Sequence, residues 1–487
     1  MKKTWPFLFA LILNSAAGLL AGPRPAAAPA WPATFEDWVV QRVGPVIYPT
    51  APRPKTDWDP LIDLNHELGA RAVKTWLGGA APGEAFARLQ TPPYHRLARE
   101  HDVIHINVCL NYVTQAYIDN GNRLDNQTLD AAREEWRRIT RHLCELTTDP
   151  QRIFLLSVGA ELNVYLGTAQ RHPDFPVDQL VNTAHQGKEQ ALAELNGRPR
   201  PQVYTVAEFQ GEVEFEAYAR KWAPRFETDL ISLSYYTFFR PLDDSLTFLR
   251  SITPARGPFG ADRLMLGEYG LTHEVCNWNQ AAHARWHLDM LRQAFDQHAQ
   301  FAFYYSLADD PGVIRDAGHD GLIGWTRRDD PGRRLTWFLY HALYHRQPPL
   351  IPDYELYEYH DELNQPAAGD APNFVLENLT VLGAEHRPGD AVAFRVTVRN
   401  AGPAPAPAAS VNFYVNDRIV AYAGVPALEP GAQAKVESTA TDPRFVWSAQ
   451  AGTHRLTAHA NVRHGVPELA FTDNEATIYF TIAADEP

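Results

Sequence analysis

The stretch ADRLMLGEYGLT occupies residues 261–272. Its apolar run Leu264, Met265 and Leu266 is bounded by charge on one side, and glycines flank the carboxylate of Glu268. This pattern predicts a short buried strand that ends by delivering Glu268 into a cleft. Upstream, six similar runs precede it: Val43–Tyr48 (VGPVIY), Ala70–Leu77 (ARAVKTWL), Val103–Leu110 (VIHINVCL), Ile153–Gly159 (IFLLSVG), Val203–Val206 and Leu230–Ser234. One more follows, Phe301–Leu307 (FAFYYSL). Segments with helical spacing alternate with them, near 58–69, 82–100, 127–146, 177–195, 213–222, 242–252, 280–298 and 333–345. Glycine stops the first of these at Gly69.

Strands alternating with helices imply right-handed crossovers and parallel pairing, and near-continuous apolar runs fit a sheet buried on both faces. Eight repeats in ~310 residues make an α/β fold of the (β/α)8 TIM-barrel type, expected over 35–350, with its active site at the C-terminal strand ends. A doubly wound open sheet would need a glycine-rich phosphate turn after the first strand, and none is present.

Past Pro348 the rhythm stops. Residues 351–372, with Tyr354, Tyr357, Tyr359 and then QPAAGDAP, read as a strap and linker. From 373 to 487 short runs alternate apolar and polar residues, among them FVLENLTVLGAEH, AVAFRVTVRNAG and SVNFYVNDRIV, separated by turns such as Pro388-Gly389 and Pro430-Gly431. That spacing predicts a C-terminal antiparallel β-sandwich. At the other end, Lys2 and Lys3 precede an apolar segment that ends in small residues, so residues 1–21 are expected to be a cleaved signal peptide and 22–34 a Pro/Ala-rich tether. The protein is therefore expected to be secreted, extracellular or periplasmic; the plainer reading of the segment is an uncleaved anchor helix, and no later stretch approaches the ~20 apolar residues of a membrane helix.

The formal charge of −14 argues against a nucleic-acid or anionic-membrane partner, because phosphate binding needs clustered Lys and Arg, which the sequence lacks. Three cysteines, Cys109, Cys144 and Cys276, are too few for a disulfide scaffold, and whether Cys109 and Cys144 pair stays open. The histidines form no metal motif, so hydrolysis without a metal or other cofactor is expected. Twelve Trp, 20 Tyr and 23 Phe are generous for the length, and aromatics beyond core needs suit flat ligands such as sugars, although core packing alone uses many.

The residues at the strand ends carry the chemistry. The fourth ends in SVGAELN, presenting Glu161; the sixth in SLSYYTFF, presenting Tyr235 and Tyr236; the seventh in LGEYG, presenting Glu268. Trp76, Asn111 and Glu208 stand at the second, third and fifth, and Asp309 and Asp310 at the eighth. Two carboxylates across a barrel mouth can cleave a glycosidic bond: one, protonated, donates to the leaving oxygen, and the other attacks the anomeric carbon, the pair standing ~5 Å apart with room for a sugar but not for an attacking water. Their environments must separate the two pKa values, and a hydrogen bond from Tyr236 would favour the charged form of Glu268.

This order, an acid after strand four, a tyrosine pair closing strand six and a nucleophile after strand seven, resembles clan A glycoside hydrolases, the cellulase-like retaining enzymes. The likeness covers about residues 35–347 and extends to GLIGW, 321–325, although strand eight offers Tyr304 and Tyr305 where a tryptophan is usual. The resemblance implies a retaining glycosidase acting on a β-linked polysaccharide or oligosaccharide, with Glu161 as acid/base, Glu268 as nucleophile and Tyr236 as its hydrogen-bonding partner. Ala160 departs from the family's asparagine before the acid/base, and Asn163 is the candidate substitute amide. Substrate contacts are expected from Trp76, Asn111, Asn163, Glu208, Tyr235, His273 and Trp325. Trp278 is a further stacking candidate, and Lys74 is expected to order the nucleophile. Each has a plainer reading: Glu268 pairing structurally with Lys74, Glu208 holding a cation or an amide, the tryptophans packing in the barrel. The C-terminal sandwich resembles the CARDB adhesion module through PGDAVAFRVTVRNAG, LEPGAQAKV and FTDNEATIYF, which implies attachment to a cell surface or polymer, or bracing of the barrel. Ala160 and this module also suit a non-catalytic carbohydrate-binding or adhesion protein on a degenerate barrel, and transglycosylation would use the same residues.

Overall fold

The computed structural model describes residues 28–47, 58–165, 172, 174–211, 215–236, 241–307, 322–327, 330–357, 366–383, 385–441 and 446–484. The proposed signal segment, Asp309, Asp310 and Tyr359 lie outside them. Among the described residues no helix is long and apolar enough to cross a membrane.

Eight parallel strands form one sheet: β1 (Val43–Pro45), β2 (Ala72–Gly79), β3 (Val103–Leu110), β4 (Ile153–Val158), β5 (Gln202–Gln210), β6 (Leu230–Tyr235), β7 (Leu264–Tyr269) and β8 (Ala302–Tyr304). Their spatial order is β1-β8-β7-β6-β5-β4-β3-β2. The two edges meet where Val46 bridges Lys74 in parallel and the Ile47 amide donates to the Lys74 carbonyl at 2.8 Å, so the sheet closes into a barrel. Strand alternation divides the apolar residues into two layers. Val73, Leu77, Ile104, Ile106, Val108, Leu266 and Tyr269 face the surrounding helices. Ala72, Val103, Leu155, Tyr204, Val206, Leu230, Met265 and Phe303 fill the barrel interior.

Local chemistry sets the helix ends. Asp125 caps the helix Asn126–Leu146 by accepting from the Thr128 amide, and Gly69 at φ 90° ends the helix Asp59–Leu68 in a left-handed cap. The single helix expected near 82–100 is two, Glu84–Leu89 and Pro92–Glu100, because Pro92 and Pro93 cannot continue the first but can start the second. After the barrel, β9 (Ile323–Arg327) and β10 (Asp330–Arg333) pair as an antiparallel hairpin, and the helix Leu335–Tyr344 closes the domain.

The C-terminal part is a sandwich of two antiparallel sheets. One joins β11 (Phe374–Leu382), β12 (Ala391–Asn400), β15 (Gln433–Glu437) and β16 (Trp447–Ser448); the other joins β13 (Ala409–Val415), β14 (Arg418–Val425), β17 (Gly452–Ala460) and β18 (Glu475–Ile482). Phe374, Phe394, Val396, Val411, Phe413, Leu456 and Ala458 fill the space between them. The run SVNFYVNDRIV is two strands rather than one. Asn416 and Asp417, at φ 51° and 60°, turn it into a hairpin of the kind that Asn and Asp tolerate.

The sandwich docks on the loop that follows β7. That loop carries Asn277 and Trp278 in left-handed conformations, φ 50° and 59°. Trp278 is buried against Val462 and donates from its indole to the Val462 carbonyl at 3.2 Å. The Asn277 amide bonds to Glu475 at 3.2 Å and to His459 at 2.7 Å, and Asn279 donates to Asp417 at 2.8 Å. The Tyr414 hydroxyl donates to the Glu274 carbonyl. The strap joins the same seam: Gln280 N donates to the Leu356 carbonyl at 2.7 Å, and Glu355 pairs with Arg455.

Candidate functional site

Toward its C-terminal end the barrel interior turns polar. Period-two alternation along β2 and β3 aims Lys74 and Trp76, and His105, Asn107 and Cys109, inward. Glu208 on β5 and Ser232 and Ser234 on β6 join them; all are buried except Trp76 and Cys109, which are half-buried. The barrel opens into a cleft of about 1580 Å³, lined among the described residues by Trp76, Asn111, Glu161, Tyr236, Glu268 and Tyr305.

Glu268 reaches this cleft through a bulge. Leu233 pairs with Leu266, but the next pair is Ser234 with Glu268, so Gly267 is an extra residue in β7. Only glycine fits there, because a Cβ would stand 1.9 Å from Glu208 Oε2 and 2.1 Å from Ser232 Oγ. The Glu268 side chain, 6% exposed, is held on both oxygens: Lys74 Nζ stands 2.8 Å from Oε1, and the Tyr236 hydroxyl donates to Oε2. Burial, with the Glu268 charge adding to it, raises the Tyr236 phenol well above its ordinary range, so it remains a donor.

Lys74 is completely buried. Its ammonium also lies 2.9 Å from Glu208 Oε2 and donates to the Gly267 carbonyl at 3.0 Å. Burial alone would lower its pKa, but the Glu208 and Glu268 carboxylates outweigh that and raise it. Glu208 shares the cation with Glu268, and burial pushes its carboxyl above the usual range despite Lys74. The Asn107 amide lies 3.1 Å from Trp76 Nε1 and 3.2 Å from Lys74 Nζ; both are donors, so its oxygen faces them. Glu161 lines the same cleft on a backbone at φ 44°, a conformation that non-glycine residues rarely adopt and that ordered surroundings must hold. Its carbonyl accepts from Val164 N at 2.8 Å, starting the short helix Leu162–Tyr165.

The structure therefore brings Trp76, Asn111, Glu161, Tyr236 and Glu268 to one cleft. Other expected contacts lie elsewhere. Glu208 is fully buried beneath Glu268 and locked to Lys74 rather than open to a ligand. Tyr235, one residue before Tyr236, points by strand alternation into the core against the helices. His273 is buried with its ring stacked on His283 at 3.7 Å. The Asn163 amide is spent on the β5 backbone, donating to Gln210 O at 2.9 Å and accepting from Gln210 N at 2.7 Å. Trp278 serves the seam with the sandwich. The Trp325 side chain lies outside the described residues. Sequence reasoning missed Asn107, a polar residue inside the apolar run VIHINVCL whose alternation puts it on the inner face, and gave no site role to Tyr305, which packs edge-on to both Trp76 and Tyr236 with centroids 6.3 and 6.2 Å away. Cys109, Cys144 and Cys276 are free thiols.

Against known families, CARDB matches residues 371–478. The C-terminal sandwich is a CARDB domain. Among solved structures, the CARDB domain of a Pyrococcus furiosus protein in complex with di-metal ions is similar to 24% of this chain over 100% of its own length, at 21% identity and a TM-score of 0.21. A putative β-galactosidase of Bacteroides fragilis is similar over 92% of this chain and 55% of its own, at 13% identity and a TM-score of 0.40. A calcium-binding mutant of Bacteroides uniformis β-glucuronidase 2 is similar over 91% of this chain and 45% of its own, at 12% identity and a TM-score of 0.40. The chain thus spans about half the length of these two Bacteroides proteins. No curated protein matches it.

Proposed function

We propose that the barrel is a retaining glycosidase that cleaves β-glycosidic bonds of a polysaccharide or oligosaccharide by double displacement. The observation that carries this reading is Glu268, a cleft carboxylate held on one oxygen by the Lys74 ammonium and on the other by the Tyr236 hydroxyl, in a mouth it shares with Glu161. Both partners favour the charged form, as an attacking carboxylate requires. Glu268 attacks the anomeric carbon while Glu161 protonates the leaving oxygen; a water activated by Glu161 then releases the sugar from the Glu268 ester. Trp76 and Tyr305 give the sugar an aromatic wall, and Asn111 offers an amide at the rim. The same reading makes residues 1–21 an export signal and 22–34 a tether, so that the enzyme works outside the cytoplasm.

The test is cleavage of a panel of activated aryl β-glycosides and soluble β-glucans by the wild type, Glu268→Gln and Glu161→Ala. Glu268→Gln should keep the fold and lose turnover. Azide should restore cleavage of a good-leaving-group aryl glycoside by Glu161→Ala. Full activity of Glu268→Gln would remove the nucleophile assignment, and no rescue of Glu161→Ala would assign the acid elsewhere.

A further inference from the structure

We propose that Glu208 is a positioning residue of this site, the second counter-ion of Lys74, which keeps that ammonium paired when the charge on Glu268 is consumed. The inference rests on reading Glu268 as the nucleophile. Lys74 lies within 2.8 Å of Glu268 and 2.9 Å of Glu208, yet only Glu268 opens to the cleft. When Glu268 attacks the anomeric carbon, one of its oxygens forms a C–O bond, the bond to the leaving oxygen breaks, and that oxygen takes the proton of Glu161. Glu268 is then a neutral ester. A buried ammonium left without an anion would be strongly destabilised. Glu208 reacts with nothing and has no exposed surface, so the Lys74–Glu208 pair remains neutral through the intermediate. With both carboxylates ionised, these three groups carry one net negative charge at rest and none in the ester. Without Glu208 they would go from neutral to one buried positive charge at the same step.

The rest of the pocket offers no substitute. Facing Glu208 are Lys74 from β2, Asn107 from β3, Ser232 at 3.3 Å and Ser234 from β6, and Gly267 with Glu268 from β7. The nearby titratable groups are Cys109, whose thiol burial pushes up to about 11, His105, whose imidazole burial and then Lys74 keep neutral, and Tyr236, a protonated phenol. Among these groups Lys74 alone is a cation.

A double-substitution cycle tests the sharing without requiring activity. Urea unfolding at neutral pH is measured for the full-length wild type, Glu208→Gln, Glu268→Gln and the double variant. Each single variant leaves Lys74 one carboxylate, so the double variant should lose well more than the sum of the singles. Lys74→Met in the double background should recover part of that loss. Additive losses, or no recovery, overturn the shared counter-ion. The catalytic part is read on an aryl glycoside. Glu208→Gln should lower kcat/KM by about 10- to 100-fold. It should also move the acidic limb of the pH profile to lower pH, because a negative charge has left the pocket. Glu208→Asp should keep part of the rate. A non-additive cycle with unchanged kcat/KM and pH profile would make Glu208 structural only. A wild type that cleaves no glycoside would defeat the nucleophile reading and the catalytic part built on it, while the cycle still decides whether the two carboxylates share Lys74.

Discussion

Replacing Trp278 with alanine should uncouple the CARDB domain from the barrel. The indole is buried against Val462 and donates to its carbonyl at 3.2 Å. Truncating a buried tryptophan costs about 3–5 kcal/mol, and with Val462 as the buried apolar partner in its cluster the low end, about 3 kcal/mol, applies. That weakens the contact roughly 10²-fold. The other bonds across the seam include Asn277 with His459 and Glu475, Asn279 with Asp417, and Tyr414 with the Glu274 carbonyl, at about 1 kcal/mol per bond. Backbone strain supplies an internal control. Trp278 sits at φ 59°, which alanine tolerates no better but glycine adopts freely, so Trp278→Gly should be less destabilised than Trp278→Ala by about 1 kcal/mol. The assay is scanning calorimetry with limited proteolysis of the strap and linker. The wild type should unfold in one transition; Trp278→Ala should show two, with faster cleavage around 366–370. One unchanged transition, a stability change under about 1 kcal/mol, or a glycine variant weaker than the alanine variant would refute the coupling argument.

Two further outcomes follow from buried groups. Gly267→Ala would drive a Cβ to within 1.9 Å of Glu208 Oε2, and Glu208 cannot yield without leaving Lys74; a loss of about 3–5 kcal/mol in urea unfolding is expected, and wild-type stability would sink the close-packing argument for the bulge. Acid should destabilise the fold before its carboxylates titrate: burial lowers His101 to about 4 from an ordinary 6.5 and holds His105 and His287 well below that value. Below pH 6.5 the unfolded chain therefore binds protons that these native histidines refuse, so stability falls as pH drops from 6.5 toward 4, by up to about 1.4 kcal/mol per pH unit for each group. Denaturation midpoints at pH 7 and 5 should show the drop and a smaller one in His101→Gln; a flat profile, or an equal drop in the variant, would contradict it.

The barrel was legible because its signal repeats. Each strand is an apolar run between polar segments, and runs such as Val103–Leu110 and the helix Leu242–Ile252 fall where the spacing puts them. The site was legible only at the strand tips. Trp76, Glu161, Tyr236 and Glu268 reach the cleft because residues near a tip have open space above them. Glu208 misled because its strand runs on to Gln210 instead of ending near Val206, and because its carboxylate is taken up by Lys74, a partner from another strand that local sequence does not reveal. Tyr235 and Tyr236 look equivalent in sequence, yet alternation sends one to the helices and the other to the cleft. The role of Trp278 had no local signature at all: its partner, Val462, is 184 residues away.

The stretch around Glu268 shows how much a single backbone irregularity contributes. Leu266 and Tyr269 both face the helices, while Met265 faces the barrel interior. Strict alternation cannot place two outward residues three positions apart. The extra residue in β7 resolves the conflict, and the partner strands agree: β8 passes from Ala302 to Tyr304 while β7 passes from Leu266 to Tyr269. Gly267 absorbs the insertion, and its bare Cα leaves the space that the Glu208 carboxylate occupies. Glycine is thus needed for two linked reasons: it lets Glu268 turn inward above the ladder, and it lets the Lys74–Glu208 pair sit directly beneath. A side chain at that position would have to displace the pair that holds Glu268, so the placement of the carboxylate and its ion pair with Lys74 depend on the same missing atom.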